Sequence, residues 1–278
     1  MASIEEHRSF FAKQMASVAR STDPRLERIF ELVPREAFCG PGPWNVQVSS
    51  RYVETPSADP IYLYQNSLIA LDASKTINNG EPFLHARWIG AIEPRQGETV
   101  VHIGAGTGYY TAILSMLVRP GGSVLAYELE PQLAKRATNN LEPFDNATVI
   151  ADNATETDLP PTDIIYVNAG VEVPPRSWLS ALKPEGRMIF PWRPSASAGI
   201  ALLVTRKANG FSVAPLAPAF FIPCVGASAA GDERTEPSYS TAVKTRSIHF
   251  VEDRAPDNSA TAAFDEVWFS SHELSDGS

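Results

Sequence analysis

The chain has 278 residues, 44% of them apolar and 20% charged, with a net charge of −9. That is the make-up of a globular protein with enough material for a sizeable core. The acidic balance speaks against nucleic acid, whose phosphates need a basic surface, and against docking on anionic membranes. No stretch approaches the ~18 apolar residues of a membrane span. The N-terminus MASIEEHRSFF carries acidic residues where a secretion signal carries basic ones, and Cys39 and Cys224 stand isolated. The expectation is a cytoplasmic protein with reduced thiols.

Residues 5–38 place Phe10, Phe11, Met15 and Val18, then Leu26, Ile29, Phe30 and Leu32, at helical spacing. Asp23-Pro24 breaks the run, with Asp23 expected to cap a second helix and Pro24 to open it. From Gly40 to Gly80 the chain is irregular and rich in Pro, Ser, Asn and Tyr. A loop of that length is expected to be a lid or binding segment. An alternation follows: strand 99–104, helix 108–118, strand 123–129, helix 131–141, strand 147–152, strand 163–170, helix 176–182 and strand 186–192. Continuous apolar strands between amphipathic helices predict a parallel sheet covered on both faces. GIALLVTRKANGFSVAPL (199–216) predicts a hairpin turning at Asn209-Gly210. Beyond Gly226 a polar segment leads to strand-like KTRSIHF (244–250) and FDEVWFSS (264–271).

The stretch VVHIGAGTGYYTAIL (100–114) carries the chemistry. Gly104, Gly106 and Gly108 fall where a strand turns into a helix, permitting a tight turn, a close ligand approach and an anionic group at the helix N-terminus. Either a dinucleotide pyrophosphate or another nucleoside ligand satisfies that turn. Glu128 ends the next strand twenty positions after Gly108, where a carboxylate accepts hydrogen bonds from a ribose diol; Glu130 reads as a solvated neighbour. Tyr109 stands where the dinucleotide fingerprint has its third glycine. A ligand with a ribose and an anionic end but no pyrophosphate is therefore favoured, and S-adenosylmethionine answers that description. Asp152-Asn153 closes the third strand, either to meet an adenine amine or simply to turn the chain.

These residues resemble the protein-L-isoaspartate O-methyltransferase family over roughly Phe10 to Pro223. VPREAF (33–38), the glycine stretch with its Gly-Tyr, DIIYVNAGVEVPPRSWLSALKPEGRMIFP (163–191) and FFIPC (220–224), which resembles the family's closing strand, occur in the family's order. The resemblance implies an α/β fold: a Rossmann-like, seven-stranded class I methyltransferase sheet with helices on both faces. N-terminal helices and an acceptor loop would occupy 1–90, the S-adenosylmethionine-binding core 91–225 and a β extension 226–278. It implies cofactor contacts at Thr76, Ile77 and His85, at Gly104, Ala105, Gly106 and Gly108, at Glu128 and Leu129, and at Asp152 and Asn153. The family's Thr-Ile-Ser before Pro-x-x-His reads here KTINNGEPFLH (75–85). Pro82 and His85 match, but Asn78-Asn79-Gly80 replaces the serine, with two extra residues before the proline. Asn78 takes the serine's place counted from Thr76, and Gly80 takes it counted back from Pro82.

A carboxylate attacking a sulfonium methyl is already ionised at neutral pH, so alignment and water exclusion suffice and no general base is needed. The five histidines show no metal-ligand spacing, and His102, inside the first core strand, reads as a hydrogen-bonded core residue. Asn78 and Asn79 can donate to an acceptor carboxylate without adding charge, and with His85 they form the expected catalytic set. Tyr62, Tyr64 and Trp88 are either pocket-lining or core. The leading expectation is carboxyl methylation of isoaspartyl proteins or peptides, which leads through a succinimide back to aspartate. The alternatives are a small-molecule acid or a particular modified peptide as acceptor, and a non-catalytic binding module. An NAD(P) oxidoreductase is disfavoured by Tyr109 and by the lack of a Tyr-x-x-x-Lys pair.

Overall fold

A computed structural model describes residues 3–228 and 236–274. Within it the chain forms two compact units, Met1–Asp152 and Asn153–Ser278.

The first unit opens with α1 (Ile4–Ala19), started by a capping box in which Ser3 and Glu6 satisfy each other's backbone N–H groups. Its inner face buries Phe11, Ala12, Met15 and Ala19. Then come α2 (Leu26–Leu32) and α3 (Glu36–Cys39). The helix expected to open at Pro24 starts two residues later. Asp23 accepts instead from the Arg25 backbone N–H at 2.9 Å and pairs with its guanidinium at 2.6 Å, which holds 24–25 in a turn.

The stretch read as irregular contains four short strands. β1 (Asn45–Val48) and β2 (Arg51–Glu54) form one antiparallel hairpin. β3 (Ala70–Asp72) and β4 (Ile77–Asn78) form a second, small arm. At two to four residues each, they are too short to show an alternating pattern.

α4 (Pro82–Ile92) carries Pro82 at its start, where a missing N–H costs nothing. The unit's parallel sheet is β5 (Thr99–Ile103), β6 (Ser123–Tyr127) and β7 (Ala147–Ile150), with α5 (Tyr109–Leu117) and α6 (Pro131–Asn140) as connections. Ile103 pairs with Tyr127 and Tyr127 with Ile150. The strand-end residues 104, 128 and 151 therefore leave the sheet at one level, the carboxyl edge where open α/β sheets bind ligands.

In the second unit, β8 (Thr162–Val167) runs parallel to β9 (Leu182–Ser195) with α7 (Arg176–Ala181) between them. β10 (Ala198–Lys207) and β11 (Gly210–Pro218) follow antiparallel, and the expected hairpin turns before Gly210 at φ 141°. β5 to β7 in the first unit and β8 to β11 in the second are strands the alternation and the hairpin predict. The stretch 220–224 is not a strand. It touches β8's continuation through one bridge, Gly170 to Pro223, held by the Gly170 N–H donating to the Ile222 carbonyl at 2.7 Å and the Cys224 N–H donating to the Gly170 carbonyl at 2.8 Å.

The extension continues the antiparallel order through β12 (Ser247–Phe250), β14 (Val267–Ser270) and β13 (Ala260–Ala263), after a short α8 (Tyr239–Ala242). β13 reads Ala-Thr-Ala-Ala and shows no strand signature in sequence; its pairing with β14 places it. Among the described residues no helix is long and apolar enough to cross a membrane.

Candidate active site

The glycine turn is built from backbone that side chains resist. Gly104, Gly106 and Gly108 have φ of 75°, 59° and 94°, left-handed values that only glycine adopts at no steric cost. A Cβ on Gly108 would stand 2.9 Å from a Leu141 methyl. The N–H groups of Gly104 and Ala105 both donate to the Tyr127 carbonyl, at 2.9 and 3.0 Å, which locks the turn to the end of β6. Tyr109 is accommodated by N-terminal packing: it is buried edge-on against Phe38 of α3 at 5.5 Å and against Tyr110 at 5.0 Å.

Glu128 is 7% exposed and accepts two backbone hydrogen bonds, Oε2 from Gly106 at 2.6 Å and Oε1 from Glu130 at 2.9 Å. Burial raises its carboxyl pKa above the usual range, opposed by those backbone donors. Each oxygen keeps a second lone-pair site, so the carboxylate that orders the turn can still receive two ribose hydroxyls. Leu129, next in chain, is 43% exposed, an apolar side chain left open at the strand end. Glu130 is not merely solvated, since it pairs with Lys75.

Lys75 belongs to the β3–β4 arm, and its partner fixes where the arm lies. Leu71 Cδ1 would be 3.4 Å from a Cβ on Gly106. With Lys75 held at Glu130, the arm passes over the glycine turn. Thr76 sits at its tip with φ 56°, an outlier for a β-branched residue, and is exposed; Ile77 is half-buried in β4.

The two asparagines differ. Asn78 Oδ1 accepts from the Gly80 N–H at 2.9 Å and shapes the turn. Asn79 is 9% exposed; its Oδ1 accepts from the Ile69 N–H at 2.8 Å, while its Nδ2 is buried with no hydrogen-bond partner among the described residues. Gly80 has φ 76°, and a Cβ there would lie 2.2 Å from His85 Nε2. No side chain fits at Gly80.

His85 is fully buried, stacked on Tyr110 at 3.8 Å and edge-on to Trp88 at 5.5 Å. Burial first, then His102 and Arg35, holds its pKa well below the ordinary histidine range. It is neutral at pH 7. His102 is a buried core residue as expected, with Nδ1 2.8 Å from Thr111 Oγ1.

Trp88 is buried core, and Tyr64 is half-buried, donating to Glu36 and accepting from Arg8 Nε at 2.9 Å. Tyr62 is half-buried. Asp152 ends the first unit and is exposed. Asn153 begins the second as a turn former: its Oδ1 accepts from the Thr155 N–H at 3.1 Å and its Nδ2 donates to Glu156 at 3.0 Å. Sequence reasoning missed Lys75, Leu71 and Arg35. No local pattern marks them, because their partners lie at Glu130, over Gly106 and in the 63–67 bend.

Comparison with known proteins places the chain in a family. Residues 48–229 match the family model for protein-L-isoaspartate(D-aspartate) O-methyltransferase. A protein-L-isoaspartate O-methyltransferase of Pelotomaculum thermopropionicum is 29% identical over 237 residues, covering 82% of this chain and 92% of its own. One from Ignicoccus hospitalis is 30% identical over 166 residues, covering 58% and 78%. A solved protein-L-isoaspartate O-methyltransferase structure shares the fold with a TM-score of 0.66 at 19% identity, covering 96% of this chain and 87% of that one. A Plasmodium falciparum structure of the same description, in complex with S-adenosyl-L-homocysteine, gives 0.63 at 16% identity, with 79% and 98% covered. The chain belongs to the protein-L-isoaspartate(D-aspartate) O-methyltransferase family.

Proposed function

We propose that the chain is an S-adenosylmethionine-dependent carboxyl O-methyltransferase acting on L-isoaspartyl residues of damaged proteins or peptides, as a cytoplasmic repair enzyme. The observation that carries the reading is the Glu128 carboxylate, clamped by the Gly106 and Glu130 N–H groups with lone pairs to spare. It stands beside an arm that keeps one buried amide donor in reserve.

The residues present suit S-adenosylmethionine: a turn too tight for side chains, a ribose-ready carboxylate, and an open apolar Leu129 for a base. When bound, that cofactor supplies an electrophilic methyl group on a sulfonium. Glu128 would hold the ribose, and Gly104, Ala105, Gly106 and Gly108 would give the amino-acid end its close approach to the backbone. Thr76 and Ile77 would close over it, with Asp152 and Asn153 on the adenine side.

On the acceptor side the task is orientation, because the attacking carboxylate is already ionised. Asn79 Nδ2 is the proposed donor to the acceptor carboxylate. Asn78 shapes the turn that presents it. The neutral His85 supports Gly80 from below and carries no proton in the reaction.

A small carboxylic acid as acceptor is the second reading. It is favoured by one observation, that Gly80 rather than a serine faces His85. Methyl-labelled S-adenosylmethionine offered with matched isoaspartyl and aspartyl peptides separates the two. Preferential labelling of the isoaspartyl member is expected. Labelling of a small acid alone, or of an amine or nucleic acid, would overturn the proposal.

A further inference from the structure

We infer that Arg35, which lies outside the cofactor turn and the acceptor arm, is a positioning residue that holds that arm by gripping the bend before it; the inference rests on the arm being the acceptor side. Arg35 is fully buried. Its Nη1 donates to the carbonyls of Leu63 and, at 3.0 Å, of Gln65, and its Nη2 to the carbonyl of Ser67 at 3.0 Å. Its acceptors are backbone carbonyls at alternate residues, not carboxylates, and the Phe11 ring lies 5.7 Å from the guanidinium carbon. A planar fork can reach three such oxygens at once; an ammonium cannot hold the same geometry. The Arg35 N–H adds a contact at 3.3 Å to the Tyr64 hydroxyl, so the backbone meets the same bend.

The other side of the bend holds the site. Asn66 Oδ1 accepts from the Phe83 N–H at 2.8 Å and its Nδ2 donates to Glu81 at 2.7 Å, clasping the first turn of α4 that carries His85. The Gln47 N–H donates to the Leu68 carbonyl at 2.8 Å. Ile69 exchanges two hydrogen bonds with Asn79, 2.8 Å to its Oδ1 and 3.0 Å from its N–H. A continuous run of bonds thus joins a buried guanidinium to the asparagine proposed to orient the acceptor. A charge buried without a carboxylate costs stability, and its return here is the fixed path of residues 63–69.

The test compares the wild type, Arg35→Lys, Asn66→Ala and the double variant, by amide hydrogen exchange and by kinetics with an isoaspartyl peptide. Expected for Arg35→Lys is exchange at Ile69, Asn79 and Phe83 faster by about 10-fold or more, with Ala112 and Val118 of the α5 turns unchanged. Acceptor KM should rise by about 10-fold while S-adenosylhomocysteine affinity stays within about 2-fold, and the double variant should be no worse than the poorer single one. Uniformly faster exchange at all five amides, or fully additive kinetic losses, would overturn the inference. If Arg35→Lys does not fold, Arg35→Gln, which removes the charge and keeps one planar amide donor, carries the test: faster exchange at Ile69 and Asn79 with the α5 amides unchanged supports the inference, and unchanged or uniformly faster exchange overturns it. If the wild type methylates no isoaspartyl peptide, the functional reading fails, and the exchange pattern still decides whether Arg35 holds the arm.

Discussion

Replacing Gly80 by alanine puts a methyl carbon 2.2 Å from His85 Nε2 and 2.7 Å from its Cδ2, at a φ of 76°. The left-handed backbone alone costs a side chain about 1–2 kcal/mol. The clash cannot be relieved at low cost, because the imidazole is held on Tyr110 and Trp88 with no exposed surface. Overpacking of that kind costs about 1–3 kcal/mol more, so Gly80→Ala should lose roughly 2–5 kcal/mol in all. A domain of ordinary stability survives that loss near room temperature, which leaves the folded variant open to kinetics. Forcing Gly80 and His85 apart moves the arm, and a misplacement of about 1 Å is worth about 100-fold in rate. Gly80→Ser should behave the same way, so the family's serine cannot simply be restored here. Urea titration gives the stability and initial rates with an isoaspartyl peptide give the activity. A loss below about 1 kcal/mol together with wild-type rates would refute the packing argument.

Glu128→Gln leaves one acceptor oxygen for two backbone N–H groups and a ribose, so S-adenosylhomocysteine affinity in calorimetry should fall by about 1–3 kcal/mol; unchanged affinity would remove Glu128 from the cofactor site. Asn79→Ala should lower acceptor kcat/KM by about 10–100-fold with little change in cofactor affinity, while Asn78→Ala should act through the Gly80 turn and show a smaller effect. Stability should fall in acid because burial lowers the pKa of His102 from 6.5 to about 3. The unfolded chain takes up the proton first, so stability is complete above about pH 6.5 and declines at about 1.4 kcal/mol per pH unit from there toward pH 3. The acid limb of urea-derived stability should be shallower in His102→Gln, and an unchanged limb would contradict the burial argument.

The parallel core was legible because its strands are continuous apolar runs and its glycine turn needs backbone that only glycine adopts. Glu128 followed from its distance to that turn. The arm was not legible: β3 and β4 are too short for a period, and their position depends on Lys75 meeting Glu130, 55 residues away. The division of labour between Asn78 and Asn79 was hidden too. Adjacent residues of one type look alike until one oxygen is seen on Gly80 and the other on Ile69. Asp23-Pro24 placed the helix start two residues too early because the Asp23 carboxylate binds the backbone and guanidinium of Arg25 and holds 24–25 in a turn. β13 was invisible because alanine and threonine, without β14 beside them, carry no strand signal.

The most direct test of the central claim follows the methyl group to its chemical form. After reaction with methyl-labelled S-adenosylmethionine and matched isoaspartyl and aspartyl peptides, mild base should release labelled methanol from the isoaspartyl sample, as a carboxyl ester requires. The aspartyl sample should release almost none. Label that stays on the peptide through base, or equal methanol from both peptides, would contradict the account.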